Sequence, residues 1–225
     1  MIRDIEANYA RSDKHQTAII ELAAASGLAL LDDNERNPLY TTTYGTGQLI
    51  NDALNHKVKK IILGIGGNAT NDGGVGMLQP LGISFKDQYQ HEIQPGGINL
   101  ANIERIDVSH INPKLQDIEI KVACDVTNPF LDQNGATAVY GPQKGATQKM
   151  IPKLDYALNH YHDKIELELN KTIKHIPGAG AVGGTGAALL AFLDAQLQLG
   201  IEVVLEETHF TNRVKDANLV ITGEG

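Results

Sequence analysis

Short apolar runs, glycine-rich turns and amphipathic stretches follow one another along the chain, the pattern of an α/β protein. Residues 17–23, TAIIELA, read as a strand running into the small residues 23–27. Beyond a polar loop containing Pro38, the segment TGQLINDALNH opens on Thr46 as a cap and carries apolar Leu49, Ile50 and Leu54, which predicts a helix. KKIILGIGG, from Lys59 to Gly67, is the continuous apolar run of a buried parallel strand, and it opens into a turn too rich in glycine to stay extended. A second strand is expected at 118–125, where Ile118, Ile120 and Val122 share one face before the polar turn VTNP. Open α/β sheets bind ligands at the carboxyl ends of their strands, so these two endings can converge on one site.

Within 147–169 the apolar positions Ile151, Leu154, Leu158 and Ile165 are spaced three, four and seven apart, which predicts an amphipathic helix whose start Pro152 leaves open. Residues 183–197, GGTGAALLAFLDAQL, read as a helix with a glycine entry. NLVITGEG, 218–225, reads as a last apolar strand leading into a turn. The helix that should follow to cover the sheet is not in the chain, so a truncated molecule is expected. No internal repeat, low-complexity tract or Pro/Ser-rich linker marks a domain boundary.

Composition narrows the function. At 225 residues, 42% hydrophobic and 20% charged, the chain has enough apolar material for one large domain or two small ones and lies far from the disordered class. A formal net charge of −8 argues against general nucleic-acid affinity, so an anionic ligand needs a local site: a glycine loop, a helix N-terminus, a placed lysine or a divalent cation. No apolar run approaches the roughly 20 residues of a membrane span, and residues 1–16 lack the apolar core of a secretory signal, so a cytoplasmic protein is expected. Cys124, the only cysteine, excludes an intrachain disulfide and reads as a small buried apolar side chain.

Three polar turns can carry chemistry. In the first, GIGGNATNDGG at 64–74, glycines including Gly66 and Gly67 let backbone amides approach an anion, while Asn68, Thr70, Asn71 and Asp72 supply short polar groups. Gly64, Gly66 and Ala69 fit the dinucleotide pattern GxGxxA. Gly178, Gly180 and Gly183, followed by Gly184, fit GxGxxG before a helix. These two matches support one reading, a nicotinamide-dependent oxidoreductase, although neither is followed by the expected acidic residue on a second strand, and the GKS or GKT of a P-loop is absent. The second turn, CDVTNP, sets Asp125 three residues before Asn128, either a pair for a metal ion or substrate hydroxyl or an Asx turn closed by proline. The third, YGPQKGAT, holds Gln143 and Lys144 between glycines, where the lysine either neutralises phosphate or is simply solvated. Asp194 reads as a solvated helix position, and Glu224 stands between glycines after the last strand. His160 and His162 flank Tyr161 and are expected to face solvent.

Taken in order, TTYGTGQLI, GIGGNATNDGGVGM, VACDVTNPF, YGPQKGAT, PGAGAVGGTGAAL and LVITGEG resemble the type 1 glycerate kinase family of bacteria, from about Ala18 to the last residue. The resemblance implies transfer of the γ-phosphate of ATP, with Mg2+, to a hydroxyl of D-glycerate. It also implies a Rossmann-like domain with a second α/β domain inserted in it, incomplete in this chain. On that reading residues 17–210 are mostly the inserted, substrate-side region, and 212–225 begin the return to the Rossmann-like domain. Asp72 and Asp125 would divide the roles of base and Mg2+ ligand. Lys144 and the loop amides would hold anionic oxygens, with Asn128, Gln143 and Glu224 as further contacts. The resemblance also implies a DSFKG and a DGGEGT segment and blocks beyond GEG, none of which this chain contains, so a silent piece that only binds ligand is a third reading.

Overall fold

The computed structural model describes residues 3–223. After a short β1 (Ala10–Ser12), β2 (Thr17–Glu21) leads through Leu22 into α1 (Ala23–Ser26), and α2 (Tyr44–Asn55) precedes β3 (Lys60–Gly64). A long loop and α3 (Val75–Leu78) lead to an outlying antiparallel pair, β4 (Ser84–Lys86) with β5 (Arg105–Asp107). The chain returns as β6 (Glu119–Ala123) and passes through α4 (Ala136–Tyr140), α5 (Ile151–Leu169) and α6 (Ala181–Phe192). It ends with β7 (Gln196–Gln198), α7 (Gly200–Glu207) and α8 (Phe210–Val214).

The main sheet has the order β1-β2-β3-β6-β7, parallel apart from β1. Ile20 pairs with Leu63, and Leu63 with Val122, so the alternating side chains of three strands line up on one buried face. Ile50 and Leu54 of α2 and Leu158, Tyr161 and Ile165 of α5 join the same core. The opposite face is only partly covered. Near β6 it is tied to α7 by ion pairs, Lys121 to Glu206 at 2.6 Å and Lys60 to Glu207 at 2.8 Å, whereas Ile19 is left 50% exposed. No helix among the described residues is long and apolar enough to cross a membrane.

Four expectations need correction. Helix α2 starts at Tyr44, so Thr46 is not its cap; the Thr46 hydroxyl is buried 2.9 Å from that of Ser26. The helix expected over 183–197 stops at Phe192: Asp194 takes a left-handed φ of 49°, and Gln196–Gln198 pair with β6 instead. Residues 218–223 form no strand: among the described residues no strand pairs with them, and Leu219 and Ile221 are 76% and 88% exposed. Glu224 lies outside the described residues. Finally, His162 is buried and His160 is half-buried with Nε2 2.6 Å from the Ile103 carbonyl. His162 lies four residues after Leu158 and three before Ile165, on the inward stripe of α5.

Candidate active site

The loops that follow β2 and β3 are stitched together at the carboxyl edge of the sheet. The Leu22 amide donates to the Gly64 carbonyl at 2.8 Å, Leu28 to Gly67 at 2.9 Å, and Ala69 to Ser26 at 2.9 Å. Beside them opens a cleft of about 590 Å³, with Ser26, Gly27, Thr41, Thr42, Ala69 and Thr70 in its wall. Arg3 reaches its edge, paired with Glu35 at 3.2 Å and donating to the Leu30 carbonyl.

Gly66 and Gly67 are exposed, and from Asn68 onward the loop dives into the protein. A side chain at Gly66 would meet nothing within 4 Å. The Asn68 amide nitrogen lies 3.0 Å from both the carbonyl and hydroxyl oxygens of Thr70 and 3.1 Å from the Val182 carbonyl. Asn71 donates to the Thr137 hydroxyl at 3.0 Å, while its Oδ1 is buried with no partner among the described residues. Asp72 is 1% exposed. Its Oδ2 accepts from the Thr43 amide at 2.7 Å, the Thr43 hydroxyl at 2.9 Å and the Thr42 hydroxyl at 3.3 Å, and its Oδ1 from the Gly74 amide at 3.2 Å. Burial raises the carboxyl pKa against the opposing pull of those donors. Asp72 thus fastens the start of α2 to the glycine loop.

Lys144 is fully enclosed, and its Nζ donates to the Thr70 carbonyl at 2.7 Å. Burial pushes its pKa down to about 7, with the charge of Asp72 acting the other way. Against the same carbonyl rests the second glycine segment. There Val182, Gly183 and Gly184 take successive left-handed φ values of 60°, 65° and 89°, a strained conformation for a β-branched residue. The Gly183 carbonyl accepts from the Gly73 amide at 3.0 Å, and a side chain at Gly183 would collide with the Thr70 carbonyl. Gly180 is likewise closed off by the Pro129 carbonyl, Gly184 by the Phe130 ring, and Gly178 by Leu197. Backbone packing alone requires glycine at Gly180 and Gly183, while at Gly178 and Gly184 the left-handed φ values of 83° and 89° add to the side-chain contacts.

Thr70 and Lys144, Asn68 and Val182, and Asn71 and Asp72 with their threonine partners thus form one assembly. Asp125 stands apart: it is exposed at the end of β6, and its Oδ1 accepts from the Gly200 amide at 2.8 Å, capping α7. Asn128 bonds the Asn134 carbonyl at 2.8 Å and the Tyr140 hydroxyl at 2.6 Å, and only its backbone carbonyl reaches Gly180, at 3.0 Å. Gln143 is exposed beside the buried Lys144. Sequence reasoning missed Thr42, Thr43 and Thr137; for the first two the hydroxyl-rich run TTTYGTG before a helix was a usable signal.

The class this defines is an open α/β protein with a loop-built cleft at the carboxyl edge of a mainly parallel sheet. The glycerate kinase family profile matches residues 1–225, and the chain belongs to that family. It is 53% identical over 221 residues to a glycerate kinase of Halalkalibacterium halodurans and 50% identical to the glycerate 2-kinase of Escherichia coli K12. Each match covers 98% of this chain and 58% of the relative, so the chain spans little more than half the length of these proteins. A crystal structure described as glycerate kinase 2 from Salmonella typhimurium LT2 superposes with a TM-score of 0.96 at 49% identity, covering 98% of this chain and 59% of that one. Nothing in these relatives supports the nicotinamide reading. The GxGxxA match leads only into the four-residue α3, not into the long helix that such a motif opens.

Proposed function

We propose that the whole protein is a glycerate kinase that moves the γ-phosphoryl group of ATP to D-glycerate, and that the 2-hydroxyl accepts it. Family membership across the whole chain carries the reading; the E. coli relative's name supports the choice of hydroxyl. Phosphoryl transfer asks a protein for positioning and charge neutralisation more than for covalent chemistry. The bare, exposed Gly66–Gly67 end of the loop suits backbone approach to phosphate oxygens. Asp125 is the better-placed candidate for the base, since Asp72 has both oxygens engaged by buried donors.

Among the described residues no cluster of three His, Cys, Asp or Glu groups could cage a metal ion. If Asp125 is not the base, its exposed carboxylate would instead fit Mg2+ delivered on ATP, because this ion keeps several waters and needs only one or two protein ligands beside the phosphates. The chemistry it supplies is neutralisation of charge on the phosphates. We further propose that the protein is cytoplasmic and that residues from about 17 to about 210 are mostly the inserted, substrate-side region of the enzyme.

The test is to incubate the chain, and a version extended to the length of its relatives, with ATP, Mg2+ and D-glycerate. ADP and 2-phosphoglycerate from either supports the proposal. No product from both would overturn it, and 3-phosphoglycerate would overturn the choice of hydroxyl. In whichever chain is active, Asp125→Asn should lower kcat by about a hundredfold or more, the usual scale for loss of a general base. An unchanged kcat removes Asp125 from that role.

A further inference from the structure

A lysine fully removed from water is costly, and the hydrogen-bond partner Lys144 has been given is a neutral carbonyl. A methionine of similar length would fill the same space without that cost, so stability alone does not account for an amine there. What its Nζ does touch is the Thr70 oxygen, on which three further features converge. Asn68 approaches the same oxygen at 3.0 Å, Gly183 packs against it, and Thr70 itself lies in the wall of the cleft.

Resting on the kinase reading above, we propose that Lys144 is a positioning residue. Its Nζ fixes the Thr70 carbonyl and so holds Asn68 and Thr70 against the left-handed turn at Val182–Gly184, setting the cleft wall for phosphoryl transfer without touching substrate. This differs from the role expected from the sequence, a lysine that neutralises phosphate directly. The two roles make opposite kinetic predictions, since a phosphate contact governs nucleotide affinity whereas a misplaced wall slows the step itself.

Two variants separate them: Lys144→Met removes the donor, while Lys144→Gln keeps an uncharged N–H. Hydrogen exchange of the backbone amides at 68–73 in the 225-residue chain is the first measurement. Exchange should quicken by roughly tenfold or more in Lys144→Met and stay near wild type in Lys144→Gln, with the Met variant melting no lower than wild type. In the active chain, Lys144→Met should lower kcat by about tenfold or more with KM for ATP and glycerate held within about threefold, and Lys144→Gln should recover most of the loss. Unchanged exchange in Lys144→Met, a folded state lost in both variants, or a raised KM for ATP at constant kcat would each overturn the proposal. If no chain yields product, the kinase reading fails by itself, and the exchange data still decide what Lys144 does.

Discussion

Gly183 and Gly66 belong to similar motifs in the sequence, yet they sit in opposite surroundings. Gly183 has φ +65° and no room for a side chain, so Gly183→Ala should cost about 2 kcal/mol or more in urea unfolding. Gly66→Ala, with open space around it, should stay within about 0.5 kcal/mol of wild type. Burial was what the residue pattern failed to reveal. YGPQKGAT shows a turn with a lysine, and nothing in it says that Gln143 stays in water while Lys144 goes under the glycine loop. That burial has a pH consequence. The folded-state pKa of Lys144, about 7, is below its unfolded value, so the unfolded chain binds the extra proton between them. Its contribution to stability therefore improves as pH rises from about 7 to about 10 and is worst at low pH. Asp72, the charged group that faces it, is raised by burial and acts in the opposite sense: its contribution is lost as pH rises through its own elevated pKa. Because Lys144→Met removes the lysine term, the variant should exceed wild type most in urea stability near pH 6 to 7, with the gap closing by about pH 10.

Helix α2 shows how an element can depend on a residue remote from it. Thr43, the N-cap residue that begins it, takes its acceptor from Asp72, which enters from the glycine loop. Asp72→Ala strands the Thr43 amide and hydroxyl in a buried site and should cost about 2 to 4 kcal/mol, whereas Asp72→Asn keeps an acceptor and should cost clearly less. Denaturant midpoints of the two variants test this. Elements that carry their own apolar pattern, such as β3, β6 and α5, were legible from sequence. Those made by their neighbours were not: β7 is two glutamines around Leu197 and exists because β6 offers it an edge, while the more strand-like Leu219–Ile221 pairs with no strand among the described residues. His162 was misread for a related reason, since its polarity hid its place on the buried stripe of α5.

At the scale of the molecule, the main sheet has one face fully committed to the core and the other half open. Ile20→Ala should therefore cost about 2 to 5 kcal/mol, and its neighbour Ile19→Ala less than about 1 kcal/mol, as measured by thermal or urea unfolding. The general architecture was visible in the order of apolar runs, but the tie between the two glycine segments was not, since no local pattern links positions so far apart. The Asn68 side chain meets the Val182 carbonyl across 114 residues of chain. Contacts of that separation must wait for the intervening polypeptide to be ordered, because loop closure is unfavourable until the segments between are in place. Strands β2, β3 and β6 all precede the turn at Val182–Gly184, so on the ribosome the sheet can gather before that turn has been synthesised. The cleft at the carboxyl edge of the sheet is then among the last parts to close, and a chain stalled short of residue 182 would have a sheet but an unfinished cleft wall.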